Sequence, residues 1–291
     1  MKLARFAYQD TIWLGLVNAD AGTVDGLAKQ NGDEDLAICF ITAPPEQQRE
    51  ATPIVTLPLA DVHLLPPIER PSKNIICIGK NYPAHAVEFS GSGYDSSSEG
   101  KDDVLPKHPI VFSKAAGSMV GAFDDICPPW DLSEQIDYEA ELGVIIGRDG
   151  RDIAREDAYD YIWGYTIIND VTARDLQARH QQWLLGKSLD TFCPIGPWIV
   201  SADGLDPTNL TISSWVNGER RQHANTGEMV FDIPAIVSAV SAGITLRVGD
   251  IIATGTPAGV GIGFDPPRFL KAGDSVRVAI ESIGEITNTL R

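Results

Sequence analysis

No stretch of the chain approaches the roughly 18 consecutive apolar residues of a membrane-spanning helix. The N-terminus, MKLARFAYQD, lacks the apolar segment of a secretory signal. Cysteine is scarce, and Cys39, Cys77, Cys127 and Cys193 form no CxxC pair, which excludes zinc-ribbon and thioredoxin-like motifs. Their spacing suggests no disulfide framework, so four small buried thiols in a reducing, cytoplasmic setting are expected. The five histidines form no HExxH pair, and no serine stands in a GxSxG elbow. Gly186-Lys187-Ser188 ends like a phosphate-binding loop, but Gln181 occupies the position of that motif's first glycine. Gly259, Gly261 and Gly263 are spaced GxGxG rather than GxGxxG, and a tight loop is expected there. Positive charge is also short: 23 Lys and Arg stand against 40 Asp and Glu, a formal net charge of −17. Nucleic acid and anionic membranes are poor partners for such a surface. An anionic substrate would need cations gathered inside its pocket, because charges more than about 8 Å apart are screened at physiological salt.

What is present is an ordinary globular composition, 43% hydrophobic and 22% charged over 291 residues. LARFAY and TIWLGLVN, separated by Gln9-Asp10, read as a hairpin. Prolines 66, 67 and 71 mark a linker, giving a small N-terminal β domain over residues 1–70 and a larger domain over 71–291. NIICIG reads as a buried strand, and PAHAVEF as a short helix opened by Pro83. Residues from about 90 to 108, rich in Gly, Ser and charge, read as a mobile loop beside that helix. Strands are expected in PIVFSK, AELGVIIG, IWGYTIIN, PWIVS, TISSWVN, DIIATG and SVRVAI, and helices in ARDLQARHQQW and DIPAIVSAVSA. Without regular βαβ alternation, a doubly wound parallel fold is excluded and a β-rich α+β chain is expected.

Three acidic residues carry the chemistry. Glu139 and Glu141 in YEAELGVIIG are two apart, so on a strand they share one face. Two like charges out of water need neutralising, and a divalent cation does this; an edge strand with both glutamates solvated is the alternative. Asp170 closes the run YTIIN, where Thr172 and Asp175 are spaced for a capping box that leaves Asp170 uncommitted; a solvated turn aspartate is the alternative. An all-carboxylate set suits Mg²⁺ or Mn²⁺ rather than zinc. His85 and Glu88 are i and i+3 in PAHAVEF, so the carboxylate can orient the imidazole as a general base, or the two can form a plain surface ion pair.

The blocks IGKNYPAHAVE, DYEAELGVIIG, NDVTARDLQ, GKSLDTFCPIGPW, VNGERRQ and ATGTPAGVG, in this order over about residues 74–280, resemble the fumarylacetoacetate hydrolase superfamily. The resemblance implies a mixed β-roll catalytic domain, a homodimer, and a Mg²⁺- or Mn²⁺-dependent enzyme acting on a small anionic 2-oxo acid. It implies Glu139, Glu141 and Asp170 as metal ligands. His85, Glu88 and Lys187 become catalytic residues, with His85 and Glu88 matching the lid pair of the acylpyruvase-like branch. Arg174, Gln177, Gly255, Thr256, Tyr82 and Lys80 become substrate contacts, although Lys80 stands where many members carry arginine. The expected reaction is hydrolysis of a C–C bond in a 2,4-dioxo acid, with His85 activating water. Oxaloacetate decarboxylation, isomerisation or hydration on the same site are the alternatives, and a non-catalytic metal-binding relative is the remaining one. The loop over 90–108 is expected to close over substrate as a lid.

Overall fold

Two apolar runs separated by only two residues can pair only through a tight turn. In the computed structural model of the chain, which describes residues 1–95 and 104–291, they do so. Lys2–Tyr8 and Thr11–Asn18 pair in antiparallel register with Tyr8 opposite Thr11. Gln9 and Asp10 both take left-handed φ, 47° and 59°, the twist that a two-residue hairpin turn requires. Of the loop expected over residues 90–108, the stretch 96–103 lies outside the described residues.

The N-terminal strands extend a larger sheet. Lys2 and Leu3 pair with Val200 and Ile199 of the strand Cys193–Ser201. From there the sheet runs through Ile162–Asn169, Ala140–Ile146, Ile251–Ala253, Ile75–Gly79 and Ile110–Lys114. These pairings are antiparallel except for Ile251–Ala253 against Ile75–Gly79, which is parallel. A second, four-stranded antiparallel sheet contains Glu219–Asn225, Thr211–Val216, Ser275–Ile280 and Gly284–Thr289. The architecture is the β-rich mixed sheet that the sequence implies.

Ala140–Ile146 is an interior strand, and all seven of its residues are buried. Apart from Glu141 it is apolar throughout, as a strand covered on both faces requires. Each of Leu142, Ile145 and Ile146, fully buried, contributes about 1.5–3 kcal/mol relative to exposure. The edge-strand alternative for Glu139 and Glu141 is therefore wrong: their strand has neighbours on both sides.

Three further expectations need correction. The helix expected over ARDLQARHQQW covers only Arg174–Arg179, and a second short helix follows over Leu184–Lys187. Between them Gln181 turns left-handed (φ 58°), and Gly186 packs so closely on the Gln177 main chain that a Cβ would collide with it. The two short helices thus fold back on each other, returning Lys187 to the acidic strand. The capping box does not form: Thr172 bridges in a two-residue strand to Asp137, and its hydroxyl donates to Asp170 O at 2.9 Å. Cys77 and Cys193 are buried as expected, but Cys39 and Cys127 are exposed. Among the described residues no helix is long and apolar enough to cross a membrane.

Candidate active site

Glu139, Glu141 and Asp170 come from three adjoining pieces of backbone. Glu141 lies on the strand Ala140–Ile146, Glu139 immediately precedes it, and Asp170 follows the neighbouring strand Ile162–Asn169. The Asp170 N–H donates to Glu139 O at 2.8 Å, which locks the two chain segments together. One oxygen from each carboxylate lies within 4.8 Å of the others, and all three residues are buried. Neither solvated alternative, for the glutamate pair or for the turn aspartate, survives this burial.

Cations surround two of the three acids. Lys187 Nζ lies 2.7 Å from both Glu139 Oε2 and Asp170 Oδ2. Arg174 Nη2 reaches Glu139 Oε1 at 2.7 Å, and its Nε reaches Asp137 Oδ2 at 2.9 Å. Lys114 Nζ lies 2.7 Å from Asp170 Oδ1 and also donates to Val171 O at 3.0 Å and to Lys187 O. Glu141 differs, because it accepts from a backbone donor, Gly255 N–H, at 2.8 Å. Electrostatics follow this division. Burial opposes ionisation of Glu139, but Lys187 and Arg174 outweigh it and hold the carboxyl down at about 2. Burial, then the negative charge of Asp170 and Glu139, pushes Glu141 well above the ordinary carboxylate range. Burial likewise disfavours charge on Lys187, yet Asp170 and Glu139 raise its pKa.

The donor set fits a divalent cation. With Asp137, four buried carboxylates face three buried cations, Lys114, Arg174 and Lys187. The mismatch falls at Glu141, which makes no ion pair among the described residues and stands in a cluster of hard oxygen donors.

A small pocket opens onto this cluster, lined by Glu139, Glu141, Lys187, Arg174, Gln177, Thr256, Lys80 and His85 with an apolar wall that includes Ile78, Phe89, Phe112 and Trp183. His85 sits in the helix Pro83–Gly91, where Pro83 takes the first-turn position expected of it. His85 Nδ1 lies 3.1 Å from Glu88 Oε2. Glu88 Oε1 accepts from Gly259 N–H at 3.0 Å, so the carboxylate is held from both sides. The plain surface pair is excluded by the burial of His85, 5% exposed. The GxGxG loop explains itself here. A Cβ at Gly263 would overlap Glu88 Oε1, and the N–H groups of Gly261 and Ile262 donate to Asp137 at 2.6 and 3.1 Å.

Other expected residues are placed less directly. Lys80, at φ 53°, pairs with Asp95 and contacts Ser90 Oγ at 3.3 Å. Tyr82 is not part of the pocket wall; its hydroxyl is buried with no hydrogen-bond partner among the described residues, and burial raises its pKa. Gly255, at φ 101°, presents its N–H to Glu141. Sequence reasoning missed Asp137, Lys114 and Gln222. Asp137 stands two residues before Glu139, and Lys114 ends the apolar strand Ile110–Lys114. A lysine closing an otherwise largely apolar strand was the available signal.

Comparison with known proteins agrees with this geometry. The fumarylacetoacetate (FAA) hydrolase C-terminal family model matches residues 74–291, and an Rv2993c-like N-terminal model matches residues 1–67. The chain belongs to the fumarylacetoacetate hydrolase family. It is 48% identical over 233 residues to the oxaloacetate tautomerase YisK of Bacillus subtilis, covering 80% of this chain and 74% of that protein. Among solved structures, it is similar to a fumarylacetoacetate hydrolase of Exiguobacterium antarcticum, with TM-score 0.84 and 41% identity over 100% of this chain and 99% of that one. It is also similar to a maleylpyruvate hydrolase of Sphingobium sp. SYK-6 in complex with manganese(II) and pyruvate, with TM-score 0.80 and 32% identity over 100% and 98% of the two chains.

Proposed function

We propose that this chain is a Mg²⁺- or Mn²⁺-dependent tautomerase of a short 2-oxo dicarboxylic acid, with oxaloacetate as substrate. The observation that carries this reading is the meeting of the acidic triad and the His85–Glu88 pair on one small pocket. The 48% identity to an oxaloacetate tautomerase supports the same substrate. Glu139, Glu141 and Asp170 would hold the cation, which supplies Lewis-acid stabilisation of negative charge on the keto oxygen.

The chain's own residues do the rest. With Glu88 accepting from Nδ1–H, the neutral imidazole keeps its lone pair on Nε2. Nε2 takes the proton from C3 of the keto acid and the imidazolium passes it to the oxygen at C2 to give the enol; the reverse transfer returns it to C3. Lys187 commits two of its three N–H donors to Glu139 and Asp170, leaving the third for the oxygen at C2. Gln177 Oε1 accepts from Arg174 Nη1 at 3.1 Å, so its amide N–H₂ is available to a substrate carboxylate. Thr256 offers its hydroxyl to the same carboxylate. The aromatic wall excludes water around the developing charge. In this reading the chain works as a homodimer in the cytoplasm, with residues 1–70 as an accessory β domain.

C–C hydrolysis of an acylpyruvate, the reaction expected first from the sequence, becomes the second reading, favoured by the similarity to a maleylpyruvate hydrolase and by the same His85–Glu88 pair, which can activate water. One assay separates them. Enol-oxaloacetate is converted to the keto form in the presence of Mn²⁺ and followed by loss of enol absorbance, in parallel with acetylpyruvate cleavage. Acceleration of the first and not the second is expected. Cleavage without tautomerisation would overturn the proposal in favour of hydrolysis.

A further inference from the structure

Gln222, fully buried on the strand Glu219–Asn225, uses its whole hydrogen-bonding capacity beside the pocket. Its Oε1 accepts from Ala140 N–H at 3.0 Å and from Ser214 Oγ at 2.8 Å. Its Nε2 donates to Pro257 O and to Thr256 Oγ1, both at 2.7 Å. The partners fix which end of the amide is which. The Ala140 N–H can only donate and the Pro257 carbonyl can only accept, so oxygen must face the first and nitrogen the second. Thr256 Oγ1 therefore meets a nitrogen and must act as acceptor. Its own proton then has to be donated elsewhere, and Thr256 lines the pocket.

We infer that Gln222 is a positioning residue that sets the polarity of the Thr256 hydroxyl, keeping its proton directed toward an anionic substrate group. The inference rests on the reading of Thr256 as a carboxylate contact. Without the amide donor, the hydroxyl is free to turn its proton to the Pro257 carbonyl, which has lost its own partner. The substrate carboxylate would then face oxygen lone pairs rather than a donor.

The test is steady-state kinetics on Gln222→Met, Thr256→Val and the double variant, with urea denaturation to confirm folding. A hydrogen bond to a charged group is worth about 1.5–3 kcal/mol, so KM is expected to rise by about tenfold or more in each single variant, with a much smaller change in kcat. The double variant is expected to match Thr256→Val rather than multiply the two losses. Thr256→Ser, which keeps the hydroxyl, is expected to retain near-normal KM. Gln222→Glu keeps an acceptor for Ala140 and Ser214 but turns an acceptor toward Thr256, and serves where Gln222→Met fails to fold; KM should rise there too. An unchanged KM in Thr256→Val would overturn the reading of Thr256. A raised KM in Thr256→Val with normal KM in both Gln222 variants, or multiplicative losses in the double variant, would overturn the role of Gln222.

Discussion

Among the described residues, Glu141 is the acid in the cluster that forms no ion pair, and its replacement by glutamine should have an effect on stability that reverses sign with metal. Glutamine keeps the shape and can still accept the Gly255 N–H. In metal-free protein the carboxyl is raised above its ordinary value of 4.5 by burial and by Asp170 and Glu139. An acid whose folded pKa is raised costs no stability below about pH 4.5, where both states are protonated. Above that pH the unfolded chain ionises while the folded chain must keep the proton or carry an unpaired buried charge, so stability falls as pH rises. Removing the charge should therefore stabilise the metal-free protein at pH 7 by about 1–3 kcal/mol. For a chain of this size that raises Tm by about 2–5 °C. With Mn²⁺ at about 100 times Kd, wild type should gain about 2.7 kcal/mol and the variant almost nothing. Thermal unfolding in EDTA and in Mn²⁺ should give curves whose order inverts: variant above wild type in EDTA, wild type above variant in Mn²⁺. A variant less stable than wild type in EDTA, or equally stabilised by Mn²⁺, would refute the reasoning.

Other perturbations separate charge balance from chemistry. Lys114→Met leaves Asp170 with one cation and strips donors from Val171 O and Lys187 O; breaking such a buried pair should cost about 3–5 kcal/mol in urea denaturation. Gly263→Ala should push Glu88 off its place, lowering kcat by about tenfold or more while Mn²⁺ affinity by calorimetry stays near wild type. His85→Ala should lower kcat for proton transfer by about 10²–10⁴-fold with Mn²⁺ binding retained. Glu139, held at about 2, contributes stability that is complete above about pH 4.5 and lost as pH falls toward 2; Glu139→Gln should flatten the acid limb of the stability profile in that window.

The acidic triad and the His85–Glu88 pair were legible because each sits in a short, local pattern: two residues apart on a strand, three apart on a helix, or at the end of an apolar run. Their electrostatic partners were not. Lys114 and Asp170 are 56 positions apart and meet only because the strand Ile110–Lys114 closes one side of the sheet near the turn after Asn169. Asp137 gains its role from Arg174 and from the N–H groups of Gly261 and Ile262, contacts spanning more than 30 and more than 120 positions. The failed capping box has a similar cause, since pairing of Thr172 with Asp137 overrides a local hydrogen-bond preference. The pairing of the N-terminal hairpin with Cys193–Ser201 is likewise a long-range register that no local pattern encodes. The glycines of residues 259–263 read only as a turn, although their lack of side chains is what admits Glu88 and Asp137.

The most direct test of the account is anomalous X-ray scattering from crystals of this protein soaked in Mn²⁺. A single strong peak between the carboxylates of Glu139, Glu141 and Asp170 is predicted, absent in Glu141→Gln under the same soak. Carboxylates that point apart with no peak between them, or a peak that persists unchanged in the variant, would contradict it.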